Sequence, residues 1–465
     1  MVKLQNALDN YIIFYMTNEN SQHEKQIRMT TAPVEKLVIK LAVPTIISML
    51  VTTFYNMADT FFVGKLNNTS ATGAVGVVFP LMAIIQAVGF FFGHGSGNYI
   101  SRKLGEENVD EAETMASCGF FHAFIAGALI LVVGFIFRSP IASLLGATET
   151  IKPFALEYMQ YIFIGAPYMC ASLVLNNQLR YQGNAFFAML GLVTGAVLNI
   201  ALDPLFIFTF NMGVSGAALA TIISQAVSFV ILWIGCQKSD SLKIKFGKFS
   251  LKFGYYIEIV RGGLPSLLRQ GLASVATMIL NNVVGVYGDA AIAAMSIVTR
   301  ITVFLGSATL GFGQGFQPVC GFNYGAKKYD RVKKAFMFCI KLGSIFLLVV
   351  SALMFLLSPY LISLFQSNDE QVIEIGTVVL RCQLCTLPLS ATIILANMMY
   401  QTIGRVGGAT LLAMARQGIF FIPTILILPV LFGAWGVYLA QSVSDVCSFL
   451  LAVPLIVVQF RRMKS

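Results

Sequence analysis

The chain has 465 residues, of which 57% are hydrophobic and 11% are charged, whereas an ordinary soluble domain is about 25% charged. A mean hydropathy of +0.78 excludes a protein made of soluble globular domains, because too few polar residues remain to cover a surface that faces water. The net charge of +10 does not indicate nucleic-acid binding, because the Lys and Arg residues lie in short loops between apolar segments. Composition therefore predicts a polytopic membrane protein that lies in a lipid bilayer.

Apolar segments follow one another along nearly the whole chain after a mostly polar N-terminal segment, residues 1–36. Each segment is longer than the roughly 20 residues that a helix needs to cross a bilayer. The sequence predicts about twelve spanning helices, an all-α fold. Their approximate bounds are 37–63, 72–98, 115–138, 154–178, 187–210, 214–236, 258–286, 290–318, 333–357, 372–400, 407–430 and 434–458.

The loops between these segments alternate in charge. Basic residues concentrate in one set of loops, for example at 102–103, 238–261 and 327–334, whereas the opposite set offers only Lys65, Arg138 and Lys152. Because cytoplasmic loops carry the excess of Lys and Arg, both termini are expected in the cytoplasm, with the protein in the cell's inner membrane.

The two halves of the sequence match at a shift of 220–221 residues. Pro44 corresponds to Pro265, Pro167 to Pro388, and Gly183 to Gly404, among other pairs. Glycine and proline fix backbone geometry, so these matches predict two pseudo-symmetric six-helix lobes. The expected division is an N-lobe (37–236), a basic cytoplasmic linker (237–257), a C-lobe (258–458) and a cytoplasmic tail (459–465).

A GxG motif recurs in both halves, at 93–95 and 313–315. Such a motif can form a phosphate loop, but here it lies inside apolar helices without a following strand–turn–helix pattern. Close helix packing is the expected role. The lone histidines, His94 and His122, are likewise expected to be packing residues.

Acidic residues inside a membrane span are costly and are therefore functional candidates. Three acids fall well inside predicted spans: Asp59, Asp203 and Asp445. The repeat partners of the first two are Leu280 and Pro423. Because the second half folds without these two acids, we expect them to serve ion chemistry rather than architecture.

The neighbours of the two N-lobe acids offer further oxygen atoms. Asn199 lies one helical turn before Asp203, and Pro204 follows it and removes a backbone donor. Tyr55 and Asn56 lie one turn before Asp59.

Two more polar residues, Thr221 and Tyr158, are expected at a similar depth of the same half. Hard oxygen ligands suit Na⁺ or a proton relay rather than a soft transition metal. The expected cation site is Asp59, Asn199, Asp203 and Thr221.

Asp445 is a different case because four arginines also lie in second-half spans: Arg269, Arg300, Arg381 and Arg416. A structural ion pair with one of them is the favoured interpretation, and an ion-binding role is the alternative.

Five stretches together resemble the multidrug and toxic compound extrusion (MATE) family, over about residues 30–460. They are LAVPTIISMLVTTFYNMADTFFVG, GxG in the second span, NNQLRYQGN, LNIALDPLFI and MGVSGAALAT. The chain is most similar to the DNA-damage-inducible protein F branch and the staphylococcal-type multidrug exporters. The resemblance implies two six-helix lobes around a cleft that opens to one side at a time.

By motif, the resemblance also implies that Asp59, Asn199, Asp203 and Thr221 form the coupling-ion site of the N-lobe. Tyr158 matches a tyrosine of the same network, and Asn176 matches a pocket asparagine, with Tyr55 and Asn56 nearby. Another main branch of the family has acids in its seventh and tenth spans. This chain has only Glu258 and Glu374 near the ends of those spans, so a C-lobe ion site is not expected.

The predicted function is secondary antiport, which exports amphipathic, often cationic drugs and dyes in exchange for H⁺ or Na⁺, by a monomer without a cofactor. A flippase for lipid-linked precursors is the alternative, although pyrophosphate needs several cationic cleft residues. A membrane enzyme is disfavoured because HExxH, paired-His, Ser-His and phosphate-loop motifs are not found.

Overall fold

The structure is a computed structural model that describes residues 22–66, 69–238, 242–365 and 369–463. Within these ranges it leaves out the side chains of Gln22, Asn56, Met57, Asp59, Thr60, Thr69, Lys238 and Asp289. The described chain is helical almost throughout.

Within the described ranges, fifteen α-helices follow in chain order, with a π-helical segment after α7 and another after α13. They are α1 (Gln22–Thr31), α2 (Val34–Gly64), α3 (Thr69–Gly105), α4 (Val109–Ile136), α5 (Arg138–Leu144), α6 (Lys152–Tyr181), α7 (Ala185–Pro204), α8 (Gly213–Lys238), α9 (Phe253–Gly285), α10 (Asp289–Gly325), α11 (Tyr329–Ser363), α12 (Glu370–Thr402), α13 (Val406–Met414), α14 (Phe421–Phe432) and α15 (Ala434–Arg462). The π-helical segments are Leu205–Thr209 and Ala415–Ile419.

Eleven helices in the described part of the chain are long and apolar enough to cross a membrane. The seventh predicted span (258–286) is not among these eleven; it corresponds to α9, which has 33 residues but carries Glu258, Arg261 and Arg269. The prediction of an all-α polytopic membrane protein is confirmed.

The sequence-based bounds of the second and eighth spans are too short. Helices α3 and α10 each have 37 residues, which corresponds to about 55 Å, whereas the hydrocarbon core is about 30 Å thick. Hydropathy marks only the apolar part of each helix, and the backbone hydrogen bonds continue into the polar region around Arg102 and Lys103.

The internal repeat is visible in the backbone. Residues with positive φ recur at matching places: Gly183 (84°) with Gly404 (78°), and Gly213 (56°) with Gly433 (57°). Positive φ favours glycine because a Cβ atom would clash with the backbone. The glycine pairs found in the sequence therefore mark equivalent turns, and the prediction of two pseudo-symmetric lobes is confirmed.

Three apolar clusters hold the molecule together. One lies in the N-lobe around Tyr158 and Phe163, and one lies in the C-lobe around Val298 and Leu380. The third joins the two lobes and includes residues from α1, α2, α3, α10, α11, α12 and α15. This third cluster lies at the end of the molecule where α2 and α9 begin.

Glycines let the lobes approach closely at this same end. A Cβ atom on Gly95 would lie 2.4 Å from the carbonyl oxygen of Ile259, and one on Gly315 would lie 2.4 Å from the Cα atom of Ala42. His94, between the two glycines of the first GxG motif, bonds through Nδ1 to Ser266 Oγ at 2.7 Å. The motif therefore packs α3 against α9, as predicted, and leaves no space for a phosphate.

The sequence analysis describes residues 1–36 only as a mostly polar segment, and the structure adds that α1, which lies within it, contacts both lobes. Lys25 Nζ donates to Asn184 Oδ1 of the N-lobe at 2.7 Å. From the C-lobe, Asn323 Nδ2 donates to the carbonyl of Met29 at 3.0 Å, and Lys328 Nζ donates to that of Thr30 at 3.1 Å. These donors satisfy carbonyls near the C-terminus of α1, which a polarity count does not reveal.

The linker between the halves lies against the N-lobe in its described part. Lys248 forms ion pairs with Asp110 (2.7 Å) and Glu113 (2.6 Å), and these carboxylates raise the pKa of Lys248. The backbone amide of Leu242 donates to Gln182 Oε1 at 2.8 Å. The connection is therefore anchored rather than free.

Candidate functional site

A cavity of 250 Å³ lies within the N-lobe and extends to the C-lobe helices α9 and α10. Its walls come from α2, α3, α6, α7 and α8. Apolar side chains such as Met49, Ile85 and Phe90 alternate with hydroxyl and amide groups. This mixture suits an organic molecule that carries a few polar groups.

Asn199, Asp203 and Thr221 meet at the wall of this cavity and are almost completely buried, with exposures of 1%, 0% and 2%. Asn199 Nδ2 donates to Asp203 Oδ1 at 3.3 Å and to Thr221 Oγ1 at 3.4 Å. Asn199 and Thr221 line the cavity directly, whereas Asp203 lies behind them. Three of the residues predicted for cation binding are thus brought together.

The sequence of α7 explains this contact. Gly191 and Gly195 precede Asn199 at helical spacing, and a Cβ atom on Gly191 would lie 2.4 Å from Leu232 Cγ. Small residues therefore let α7 and α8 approach closely, which places Asn199 beside Thr221. After Pro204 the helix widens into the π-helical segment Leu205–Thr209, a form that is frequent at functional sites.

Several buried polar atoms at this wall have no hydrogen-bond partner within the described part of the chain. They include Asn199 Oδ1, Ser224 Oγ and Ser228 Oγ. Because a buried polar group without a partner is costly, such atoms indicate a place for water or an ion.

Sequence reasoning missed part of this wall. Ser224, Gln225 and Ser228 line the cavity beside the predicted Thr221, and all four lie on a single helical face. This polar stripe in an apolar helix was the signal that could have found them.

The other predicted residues have separate positions. Tyr55 lines the cavity and is 7% exposed. Tyr158 is fully buried, its hydroxyl lies 3.8 Å from the sulfur of Met82, and it is not among the lining residues. The side chains of Asn56 and Asp59 lie outside the described residues, so their part in the site stays a prediction.

Asn176 lines the cavity, but its geometry is repeated in the other lobe. Its Nδ2 donates to the carbonyl of Ala188 at 2.8 Å, and Asn397 Nδ2 donates to that of Ala409 at 2.7 Å. The shared hydrogen bond ties consecutive helices together in each lobe. This bond accounts for Asn176 as an architectural residue, in addition to any contact with a ligand.

The C-lobe encloses a cavity of 380 Å³ that contains the third membrane acid. Asp445 accepts from Arg416 Nε at 2.7 Å and from Arg416 Nη2 at 3.3 Å. Gln441 Nε2 donates to the same carboxylate at 2.8 Å. The structure therefore selects Arg416 from the four candidate arginines, and the favoured interpretation of Asp445 as an ion-pair partner is confirmed.

The described residues contain no group of three or more His, Cys, Asp or Glu side chains that could hold a metal ion. A transition-metal site is thus not built within the described ranges. The N-lobe cluster offers instead one carboxylate with neutral amide and hydroxyl groups, a donor set that suits a hard monovalent cation or a proton.

Two repeated lobes, each with a cavity inside a bundle of spanning helices, define a multi-pass membrane transporter. A sequence model of the MatE family matches residues 44–205 and 265–427, once in each lobe. The chain belongs to the MatE family. Both matches begin at the prolines that the internal repeat pairs, Pro44 and Pro265.

Known proteins of similar sequence and structure agree with this assignment. Multidrug export protein MepA of Staphylococcus aureus is 29% identical over 430 residues, which cover 90% of this chain and 94% of that protein. MepA of Staphylococcus haemolyticus is 29% identical over 418 residues, which cover 89% and 92%.

Among solved structures, a transporter of the MOP superfamily from Pyrococcus furiosus superposes with a TM-score of 0.88 at 28% identity. An outward-facing multidrug resistance MATE transporter gives a TM-score of 0.88 at 27% identity. Each match covers 94% of this chain and 98% of the other. These relatives are transporters, and the chain is accordingly a transporter and not an enzyme.

Proposed function

We propose that this protein exports amphipathic, often cationic organic compounds such as drugs and dyes, in exchange for H⁺ or Na⁺. The names of its relatives support drug export. The observation that carries the coupling is the buried Asn199–Asp203–Thr221 cluster beside the N-lobe cavity. The repeat position of Asp203 in the C-lobe is Pro423, and the C-lobe acid Asp445 is already neutralised by Arg416.

The cluster can change its occupant by a small movement. In the present arrangement the Asn199 amide donates to both Asp203 and Thr221. Rotation of this amide by 180° presents Oδ1 instead, so that amide, hydroxyl and carboxylate oxygens converge. Such a set binds Na⁺, whereas protonation of Asp203 neutralises the same site without a metal. The unpartnered Asn199 Oδ1 supports this mechanism.

The way the lobes meet supports a mechanism of alternating access. The glycine contacts Gly95–Ile259 and Gly315–Ala42 close the molecule at the end where α2 and α9 begin. The basic loops 102–103 and 327–334 lie at this end, which we assign to the cytoplasm, so both termini are cytoplasmic. The conformation is then outward-facing. Separation of the two helix pairs would open the cavities to the cytoplasm.

The proposal also covers the oligomeric state, the membrane, the cofactor requirement and the bounds of the lobes. The protein acts as a monomer in the inner membrane and requires no cofactor. The lobes divide at the anchored linker, with an N-lobe of 37–236 and a C-lobe of 258–458.

A flippase for lipid-linked precursors is less well supported. A pyrophosphate group needs several cations around it. The described lining of the N-lobe cavity contains a single cationic residue, Arg269. The cavity charge therefore favours drug export.

The proposal is tested with purified protein in proteoliposomes and a panel of fluorescent organic cations. H⁺ and Na⁺ gradients are imposed separately, and a lipid-linked precursor is tested beside the dyes. We expect dye to move against its concentration gradient with at least one ion gradient. Transport of the lipid precursor alone, or dye movement that ignores both ion gradients, would contradict the proposal.

A further inference from the structure

Arg269 lies where the two cavities meet. Together with Gln270, Ser307 and Leu310 it lines both the N-lobe cavity and the C-lobe cavity. Its guanidinium is therefore within reach of a ligand that occupies either lobe or spans both. Cavities of 250 and 380 Å³ that share a wall can hold a drug-sized molecule.

The contacts of Arg269 leave most of its donors unused. Within the described residues it makes one hydrogen bond, from Nη1 to Asn397 Oδ1 at the long distance of 3.4 Å, and no ion pair.

Two other membrane arginines show how this fold satisfies a guanidinium when its role is architectural. Arg180 donates to Gln317 Oε1 at 3.0 Å, to the Gln314 carbonyl at 3.1 Å and to Asn177. Arg416 pairs with Asp445.

The charges of the cavity walls do not cancel. The charged side chains among the described lining residues are Arg269, Arg416 and Asp445. Because Arg416 and Asp445 neutralise each other, Arg269 is the one charged side chain among the described lining residues that has no opposite charge beside it. The Arg269 side chain is half-buried, so its guanidinium has lost part of its hydration, and an anionic ligand compensates for this loss.

We propose that Arg269 binds a carboxylate of the transported compound, so that the preferred substrates are zwitterions with one carboxylate and one cationic group. The guanidinium fork matches a carboxylate in two parallel hydrogen bonds. The cationic end then lies in the N-lobe cavity against Tyr55, Phe90 and Asn199, where aromatic faces and oxygens favour positive charge. One uncompensated arginine balances one carboxylate but not a pyrophosphate.

This inference rests on the proposed function for its substrate class, and it is tested by binding alone. The probes are a tetramethylrhodamine dye with a free carboxylate and its methyl ester, which keeps the cation but lacks the anion. Fluorescence anisotropy gives the Kd of each dye for the full chain in phosphatidylcholine nanodiscs. The variants are Arg269→Gln and Arg269→Lys. Arg381→Gln is the matched control, since Arg381 lies in the C-lobe outside both cavities and donates to the Phe355 carbonyl.

We expect Arg269→Gln to raise the Kd of the zwitterion about ten-fold or more, as loss of a charge-assisted pair does, and that of the ester less than two-fold. The Kd of the zwitterion for Arg269→Lys should lie between the values for wild type and Arg269→Gln, because a single ammonium charge replaces the planar guanidinium. Arg381→Gln should change neither dye.

The inference is overturned if both dyes lose affinity equally in Arg269→Gln, if neither does, or if the wild-type protein binds only the ester. Should Arg269→Gln be misfolded by size-exclusion chromatography, Arg269→Lys decides, and an unchanged ratio of the two Kd values overturns the inference. No ion gradient enters these measurements, so a failure here is distinct from a failure of coupled export.

Discussion

Asn199, Asp203 and Thr221 gain their chemistry from their burial. In water, such an amide, carboxylate and hydroxyl are individually unremarkable, but here all three are almost without solvent contact. A desolvated carboxylate strongly favours either a proton or a bound cation. In the proposed mechanism, the apolar lobe around the cluster therefore makes its occupancy sensitive to the ions on either side of the membrane.

At the same scale, the Arg416–Asp445 pair should behave as a structural element. Asp445→Asn leaves the Arg416 guanidinium partly uncompensated. We expect a loss of about 2 kcal/mol of stability, somewhat below the value for a fully buried pair, because the Arg416 side chain is 27% exposed. Thermal unfolding in detergent measures this effect. The double variant Arg416→Met, Asp445→Leu should recover most of the loss, and a double variant less stable than Asp445→Asn would contradict the structural role.

The residue-scale predictions show where sequence reasoning succeeds. Asp203 and Asn199 were predictable because an acid inside an apolar span is costly and its helical neighbour is fixed by spacing. Arg269 could not be placed by the same logic. Whether a membrane arginine faces a carboxylate, a carbonyl or an open cavity depends on contacts between helices that are distant in sequence.

At the scale of elements, glycines in α9 control how closely the two lobes approach. A Cβ atom on Gly263 would lie 2.3 Å from the carbonyl oxygen of Phe91, whereas one on Gly271 of the same helix meets nothing within 4 Å. Backbone atoms cannot move aside as a flexible side chain does. Closure at this end of the molecule therefore depends on Gly263.

We expect Gly263→Ala to weaken the close contact between α3 and α9. Uphill dye efflux should fall at least five-fold at unchanged expression. The order of magnitude follows from the 1–3 kcal/mol cost of overpacking, shared between the two conformations. Gly271→Ala is the control and should transport like wild type. Spin labels on α3 and α9 measure the distance between these two helices by pulsed electron paramagnetic resonance. An unaltered distance distribution in Gly263→Ala would show that this contact does not set the conformation.

Element bounds were only partly predictable. Hydropathy found the apolar part of each span but ended α3 and α10 too early, because helical hydrogen bonds continue past the membrane boundary. It also missed the docking of α1, whose hydrogen-bond partners are Asn184, Asn323 and Lys328, more than 150 residues away in sequence. By contrast, turn glycines such as Gly183 and Gly404 were readable directly, since positive φ is a local property.

The whole molecule should present its linker to the cytoplasm. Lys245 is about half exposed, and Glu149, in the loop before α6, is exposed on the opposite side of the proposed topology. In a variant without native cysteines, a membrane-impermeant maleimide added to intact cells should label Glu149→Cys and spare Lys245→Cys. Permeabilisation should make both sites reactive. External labelling of position 245 in sealed cells would reverse the proposed orientation.

The two lobes share one architecture but differ in their buried acidic residues. The repeat supplies two similar helix bundles, the N-lobe contains the buried Asp203, and the C-lobe contains the Arg416–Asp445 ion pair. In the proposed antiport, energy from the ion gradient therefore enters through the N-lobe. The loss of Asp203 should uncouple transport from the gradient without disturbing the shared fold.

Uphill dye efflux by Asp203→Asn in proteoliposomes tests this claim most directly. We expect Asp203→Asn to fold and to bind dye like wild type. The variant should let dye equilibrate but accumulate none against its gradient under either an H⁺ or a Na⁺ gradient. Wild-type uphill transport by well-folded Asp203→Asn would contradict it.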